Sequence, residues 1–100
     1  MQELTHFIGG EHVQGTSGRF ADVFNPATGE VQARVPLASN EEMSHAVEIA
    51  SKEQPAWAAV NPQRRARVMM KYVDLLHRDM DKLAEALSRE HGKTIPDAKG

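Results

Sequence analysis

The chain has 100 residues, 40% of them hydrophobic and 5% aromatic, with a formal net charge of −2. That length fits one small domain or a piece of a larger one, and a short chain buries a smaller share of its surface than a long one. The charge gives no nucleic-acid or membrane signature. With no cysteine, the span has no disulfide, zinc-thiolate site or thiol nucleophile, and no apolar run approaches the roughly 20 residues of a membrane span.

Thr5 to Ile8 is expected to be a short strand, with Gly9-Gly10 as a tight turn and Glu11 to Gln14 as its return. Gly15 to Gly18 is a loop. Arg19 to Phe24 is a second strand, with Phe20 and Val23 or Phe24 as apolar anchors. Asn25-Pro26-Ala27-Thr28-Gly29 is a turn: proline presets the first corner and glycine takes the left-handed end. Glu30 to Val35 then returns with Val31, Ala33 and Val35 on one side and Gln32 and Arg34 on the other. Residues 1–36 are therefore the strand-and-hairpin region.

Ser39-Asn40-Glu41-Glu42 is a capping box, in which the hydroxyl and the carboxylate each satisfy a first-turn amide. It opens a helix over 39–54 that carries Met43, Ala46, Val47 and Ala50 on one face and stops before Pro55. Trp57, in the following link, is expected to fill a gap between helical layers. Asn61 caps a second helix over 62–78, with Pro62 at its first position. Val68, Met69, Tyr72, Leu75 and Leu76 share one face of it, and Gln63, Arg64, Arg67, Lys71 and Asp74 lie mostly on the other. Burying one such Leu or Tyr is worth about 1.5–3 kcal/mol. A third helix over 80–91 has Asp79 or Asp81 as cap, a narrower stripe of Met80, Leu83, Ala84 and Leu87, and Gly92 as its left-handed stop. Thr94 to Asp97 begins another helix. A two-stranded ribbon is marginal alone, so ribbon and helices read as an N-terminal piece of a larger protein.

Candidate sites are sparse. The five histidines, His6, His12, His45, His77 and His91, form no i, i+4 metal pattern. Arg64, Arg65 and Arg67 with Lys71 read as a solvated helix face or subunit contact. Gly9-Gly10 is not a nucleotide loop, and Glu90-His91-Gly92-Lys93 reads as a helix end with a cation at its negative pole. No spacing assembles a Ser-His-Asp triad.

The stretches FIGGEHV, DVFNPATGEVQARVPLAS, SNEEMSHAVEIASKEQPAWAAV, RRARVMMKYVDLL and LSREHGKT follow one another along the whole chain. In that order the chain resembles the N-terminal segment of an aldehyde dehydrogenase, and within that family the CoA-acylating methylmalonate- or malonate-semialdehyde branch. The resemblance implies an α/β, aldehyde dehydrogenase-like fold. In it residues 1–100 are the hairpin region and the amphipathic helices that pack beside an NAD-binding domain. It implies a much longer parent with a nucleophilic cysteine, an oligomerisation arm and a homotetrameric assembly. The implied reaction belongs to valine catabolism. It is the oxidative decarboxylation of (methyl)malonate semialdehyde to propionyl-CoA or acetyl-CoA, with NAD as cofactor and CoA as co-substrate. It places the cysteine, the NAD-binding glycines and the arginine for the substrate carboxylate beyond Gly100, so no catalytic or cofactor-binding residue is expected here and the isolated span is expected to be inactive. One carry-over falls inside the span: a structural alkali cation held by main-chain oxygens, matching Val23 or Phe24 and Glu90. The expected compartment is a bacterial-type cytoplasm or the mitochondrial matrix. A CoA-independent aldehyde dehydrogenase and a non-catalytic binding or assembly module are the alternatives.

Overall fold

Glycines set the first turn. In the computed structural model, which describes residues 1–100, Gly9 and Gly10 take φ of +63° and +80°. A two-residue connection with both φ positive matches the right-handed twist of paired strands. It joins β2 (His6–Ile8) to β3 (Glu11–Val13) in antiparallel register, Ile8 opposite Glu11 and His6 opposite Val13. The chain divides into two compact units, residues 1–24 with 31–59 and residues 25–30 with 60–100.

The first unit holds this hairpin, a three-stranded sheet and one long helix. β4 (Phe20–Phe24) and β5 (Val31–Pro36) pair antiparallel, with a register shift between Val23 and Phe24. The sequence predicts only a ribbon here, yet β1 (Gln2–Glu3) adds to it, parallel to β5. Two polar residues carry no strand signal of their own. They are held by the unpaired peptide groups along the free edge of β5, which require partners, and Leu4 N–H donates to the Arg34 carbonyl at 2.9 Å. Arg34 also pairs with Glu3 at 3.5 Å and lies 4.2 Å above the ring of Phe20. Phe20, expected as an apolar anchor, is therefore an exposed platform for a guanidinium. Ala33 is the one hydrophobic residue of this unit that is buried.

Helix α1 runs over Asn40–Ala59 and contains Pro55, so the expected stop before that proline is wrong. Proline withdraws the N–H that Ser51 C=O would accept. Both residues are exposed, so water can meet that carbonyl, and Ala56, Ala58 and Ala59 favour continuing the helix. Trp57 consequently sits on α1 rather than in a link, and at 43% exposure it fills no gap between layers.

In the second unit, Asn25 builds its turn with its own groups. Its Oδ1 accepts from Ala27 N–H at 2.9 Å and its carbonyl from Gly29 N–H at 2.7 Å. Helix α2 (Pro62–Arg78) is capped as expected, Asn61 Oδ1 accepting from Gln63 N–H at 2.8 Å. Its expected apolar face is mostly uncovered: Val68, Met69 and Tyr72 are each more than half exposed. Helix α3 (Met80–His91) follows directly, with Asp79 at its N-cap position but no side-chain capping bond. The reason is local: both carboxylate oxygens of Asp79 are held by Arg78, at 3.1 and 2.9 Å. That fork draws the Asp79 carboxyl below, and the Arg78 guanidinium above, their ordinary values. Asp81 does not cap either. Its carboxylate pairs at 2.9 Å with Lys99, the last residue of α4 (Ile95–Lys99). Ala84 is buried at 1% exposure, and Gly92 closes α3 at φ +84°.

Gly92 and Gly29 share the left-handed conformation but not the surroundings. A Cβ at Gly92 would lie 3.1 Å from Pro26 Cγ, whereas one at Gly29, φ +75°, would meet nothing within 4 Å. Each Ala substitution should lose about 1–2 kcal/mol for the backbone strain. In urea unfolding of the complete protein, Gly92→Ala should lose more than Gly29→Ala; equal losses would mean that Pro26 yields freely.

Candidate functional site

Val23 and Phe24 end β4 at the register shift, half-buried and exposed respectively, opposite Ala33 and Val31. They belong to the first unit. Glu90 belongs to the second, exposed in the last turn of α3. Its carbonyl is among the four that a helix leaves without an internal partner, at the negative end of the dipole. One nearby carbonyl is already engaged: Ser88 C=O accepts from Gly92 N–H at 2.7 Å. The Ser88 hydroxyl donates to Lys93 C=O at 2.7 Å. No group of three or more His, Asp or Glu side chains is arranged to hold a metal ion.

The densest polar constellation lies elsewhere, at the start of α1. Glu42 Oε1 accepts from Ser39 N–H at 3.0 Å, and Glu42 N–H donates to Ser39 Oγ at 3.1 Å. This is the reciprocal capping box that the sequence predicts. The other oxygen, Oε2, accepts from Thr16 N–H at 3.2 Å and lies 3.5 Å from His6 Nε2. The Ser39 amide, and after it the Thr16 amide, hold the Glu42 carboxyl below its ordinary value, because each bond favours the charged form. Sequence spacing shows the local half of this arrangement. The long-range half gives no signal, since Thr16 is an ordinary loop residue and His6 an ordinary strand residue.

Three shallow concavities line the first unit. One of about 490 Å³ runs between the β2–β3 turn and α1 and carries Glu53 as its ionisable side chain. A second of about 210 Å³ is bordered by His6, Ala38, Glu42 and Met43, and a third of about 410 Å³ by β1, Phe7 and His12. None brings a nucleophile to a base. A dinucleotide pyrophosphate needs free amides at a helix start, and the turn and the first two helix starts do not offer them. Gly9-Gly10 joins two strands. α1 begins with Glu41 and Glu42, whose charge repels phosphate. At α2 the first position is proline, and Asn61 already takes the Gln63 amide.

No helix is long and apolar enough to cross a membrane. Residues 12–100 match the model of the aldehyde dehydrogenase family. The acylating, mitochondrial methylmalonate-semialdehyde dehydrogenase of Arabidopsis thaliana is 44% identical over 97 residues, which are 97% of this chain and 16% of that protein. Malonate-semialdehyde dehydrogenase of Pseudomonas aeruginosa is 42% identical over 100 residues, 100% of this chain and 20% of that protein. A crystal structure from Sinorhizobium meliloti 1021, bearing the name of a methylmalonate-semialdehyde dehydrogenase and complexed with NAD, superposes on the whole chain. Its TM-score is 0.96 and its identity 65%, and the chain covers 20% of it. The chain thus spans a fifth or less of the length of these relatives. The five strands and four helices follow the fold seen in that crystal structure, and with the family pattern matched from His12 to Gly100 the chain belongs to the aldehyde dehydrogenase family.

Proposed function

We propose that these residues are the N-terminal part of an NAD-dependent, CoA-acylating (methyl)malonate-semialdehyde dehydrogenase. The supporting observation is 65% identity, over all 100 residues, to a protein bearing the name of a methylmalonate-semialdehyde dehydrogenase and crystallised with NAD. The acylating relative from Arabidopsis adds to it. In this reading the semialdehyde is oxidised, its hydride passes to NAD, and carbon dioxide leaves from the carboxylate. The acyl group is carried on a thiol and transferred to the thiol of CoA. A thiolate suits both halves, being strongly nucleophilic near neutrality and forming a thioester that exchanges with a second thiol. The span has no cysteine, so its own part is structural: a β-sheet edge and helix faces for the catalytic and cofactor-binding regions. A homotetramer accompanies this reading, as does a bacterial cytoplasm or mitochondrial matrix; relatives come from a bacterium and from mitochondria.

The complete protein, given methylmalonate or malonate semialdehyde, should form NADH together with propionyl-CoA or acetyl-CoA, identified by mass spectrometry. Omitting CoA should slow the reaction severely. An undiminished rate with a free acid as product would transfer the assignment to a CoA-independent aldehyde dehydrogenase. No semialdehyde-dependent NADH at all would favour a non-catalytic module.

Residues 1–100 purified alone should produce no NADH from either semialdehyde. Turnover by that preparation would refute the structural role.

A further inference from the structure

Residues 5–16 are anchored at both ends to the sheet side of the first unit. Leu4 N–H bonds to Arg34 C=O, and the Ser17 hydroxyl donates to Leu37 C=O. Between those anchors the β2–β3 hairpin lies beside α1 with little apolar cover. Phe7 is 67% exposed and Val13 is exposed. The open spaces of about 490 and 210 Å³ described above both border Phe7 and Ile8 on one side and α1 on the other. At the turn, a Cβ built on Gly9 would stand 3.5 Å from Ile49 Cγ2. The polar tether that the structure gives this segment to α1 is Glu42.

We propose that Glu42 is a clasp holding residues 5–16 against the first turn of α1, and that neutralising its carboxylate releases this segment as a unit while the rest of α1 stays folded. Only an ionised carboxylate offers acceptor oxygens to both the Ser39 and Thr16 amides without a proton of its own in the way. The ionisable side chain brought against it from β2 is His6, whose Nε2 is buried without a hydrogen-bond partner. That ring adds attraction when it carries a proton. The 15–18 loop and the β5–α1 link face Glu42 with the uncharged Thr16 and Ser39, and Glu41 is its charged neighbour on α1. Glu42 titrates below its ordinary value of 4.5. Its contribution is therefore complete above that pH and is lost as pH falls through the lower, folded-state value. The clasp is closed near neutrality and opens in acid.

Hydrogen–deuterium exchange on the complete protein tests this, comparing wild type, Glu42→Gln and Ser39→Ala at neutral pH. Gln keeps the size but presents an NH₂ group to one of the two amide donors. Glu42→Gln should speed exchange across residues 5–16 by about tenfold or more, as local opening does, with residues 47–59 unchanged. Ser39→Ala removes the cap hydroxyl alone, so it should fray the first turn of α1 and leave residues 5–16 within about twofold of wild type. The proposal is overturned if Glu42→Gln affects only that first turn, or if Ser39→Ala opens residues 5–16 equally. Wild type stepped down in pH through 4.5 needs no variant. After correction for intrinsic exchange rates, residues 5–16 should lose protection before residues 47–59, and simultaneous loss across α1 would also overturn it.

Discussion

Scarcity of apolar burial governs this structure. Ala33 and Ala84 are its buried hydrophobic residues, and no large side chain is fully buried. Hydrophobic stabilisation scales with apolar area removed from water, so alanines supply little of it. Order here comes from local devices: the Gly9-Gly10 turn, the Asn25 turn, the caps at Ser39, Asn61 and Thr94, and the left-handed stop at Gly92. Such devices define where elements begin and end, each for roughly 0.5–2 kcal/mol, but they do not make a core. The stripe of Val68, Met69 and Tyr72 on α2 is spaced to be covered, and within these residues it is not.

That deficit and the functional reading have one physical source. In the proposed reading, this span contributes by supporting other parts of a longer protein. It can do so only through the surfaces it leaves uncovered. Its relatives are about five times its length or more, and the proposed reading assigns the chemistry to the rest of such a longer protein. The Glu42 clasp belongs to the same picture. Where apolar contact between a hairpin and a helix is thin, one well-placed carboxylate decides whether they stay together.

Much of the fold is legible in the residues, because the signals are local. Asn61-Pro62, Ser39 with Glu42, Gly9-Gly10 and Gly92 each act within a few positions, and each takes the conformation its chemistry favours. What escaped the sequence is long-range. β1 exists because the edge of β5 needs partners, not because Gln2 and Glu3 favour a strand. Phe20 is recruited by Arg34 on the neighbouring strand; by contrast, Asp79 is taken from its capping task at short range, by the adjacent Arg78. Pro55 misleads in another way. The rule that it ends a helix assumes a costly lost bond, and that cost is smaller on an exposed helix such as this one, where water can reach the backbone. Of the candidate site, the helix-end character of Glu90 and the strand-end position of Val23 and Phe24 were legible. The convergence of Thr16 and His6 on Glu42 was not, since nothing in a loop threonine announces a partner on a distant helix.

Unfolding of residues 1–100 on their own in urea, followed together by Trp57 fluorescence and far-ultraviolet circular dichroism, addresses the scarcity of core most directly. With so little apolar surface buried, the two signals should change gradually and out of step, and the chain should bind a hydrophobic dye before any denaturant is added. A single steep transition, coincident in both signals and without dye binding, is the mark of an all-or-none domain and would contradict the account.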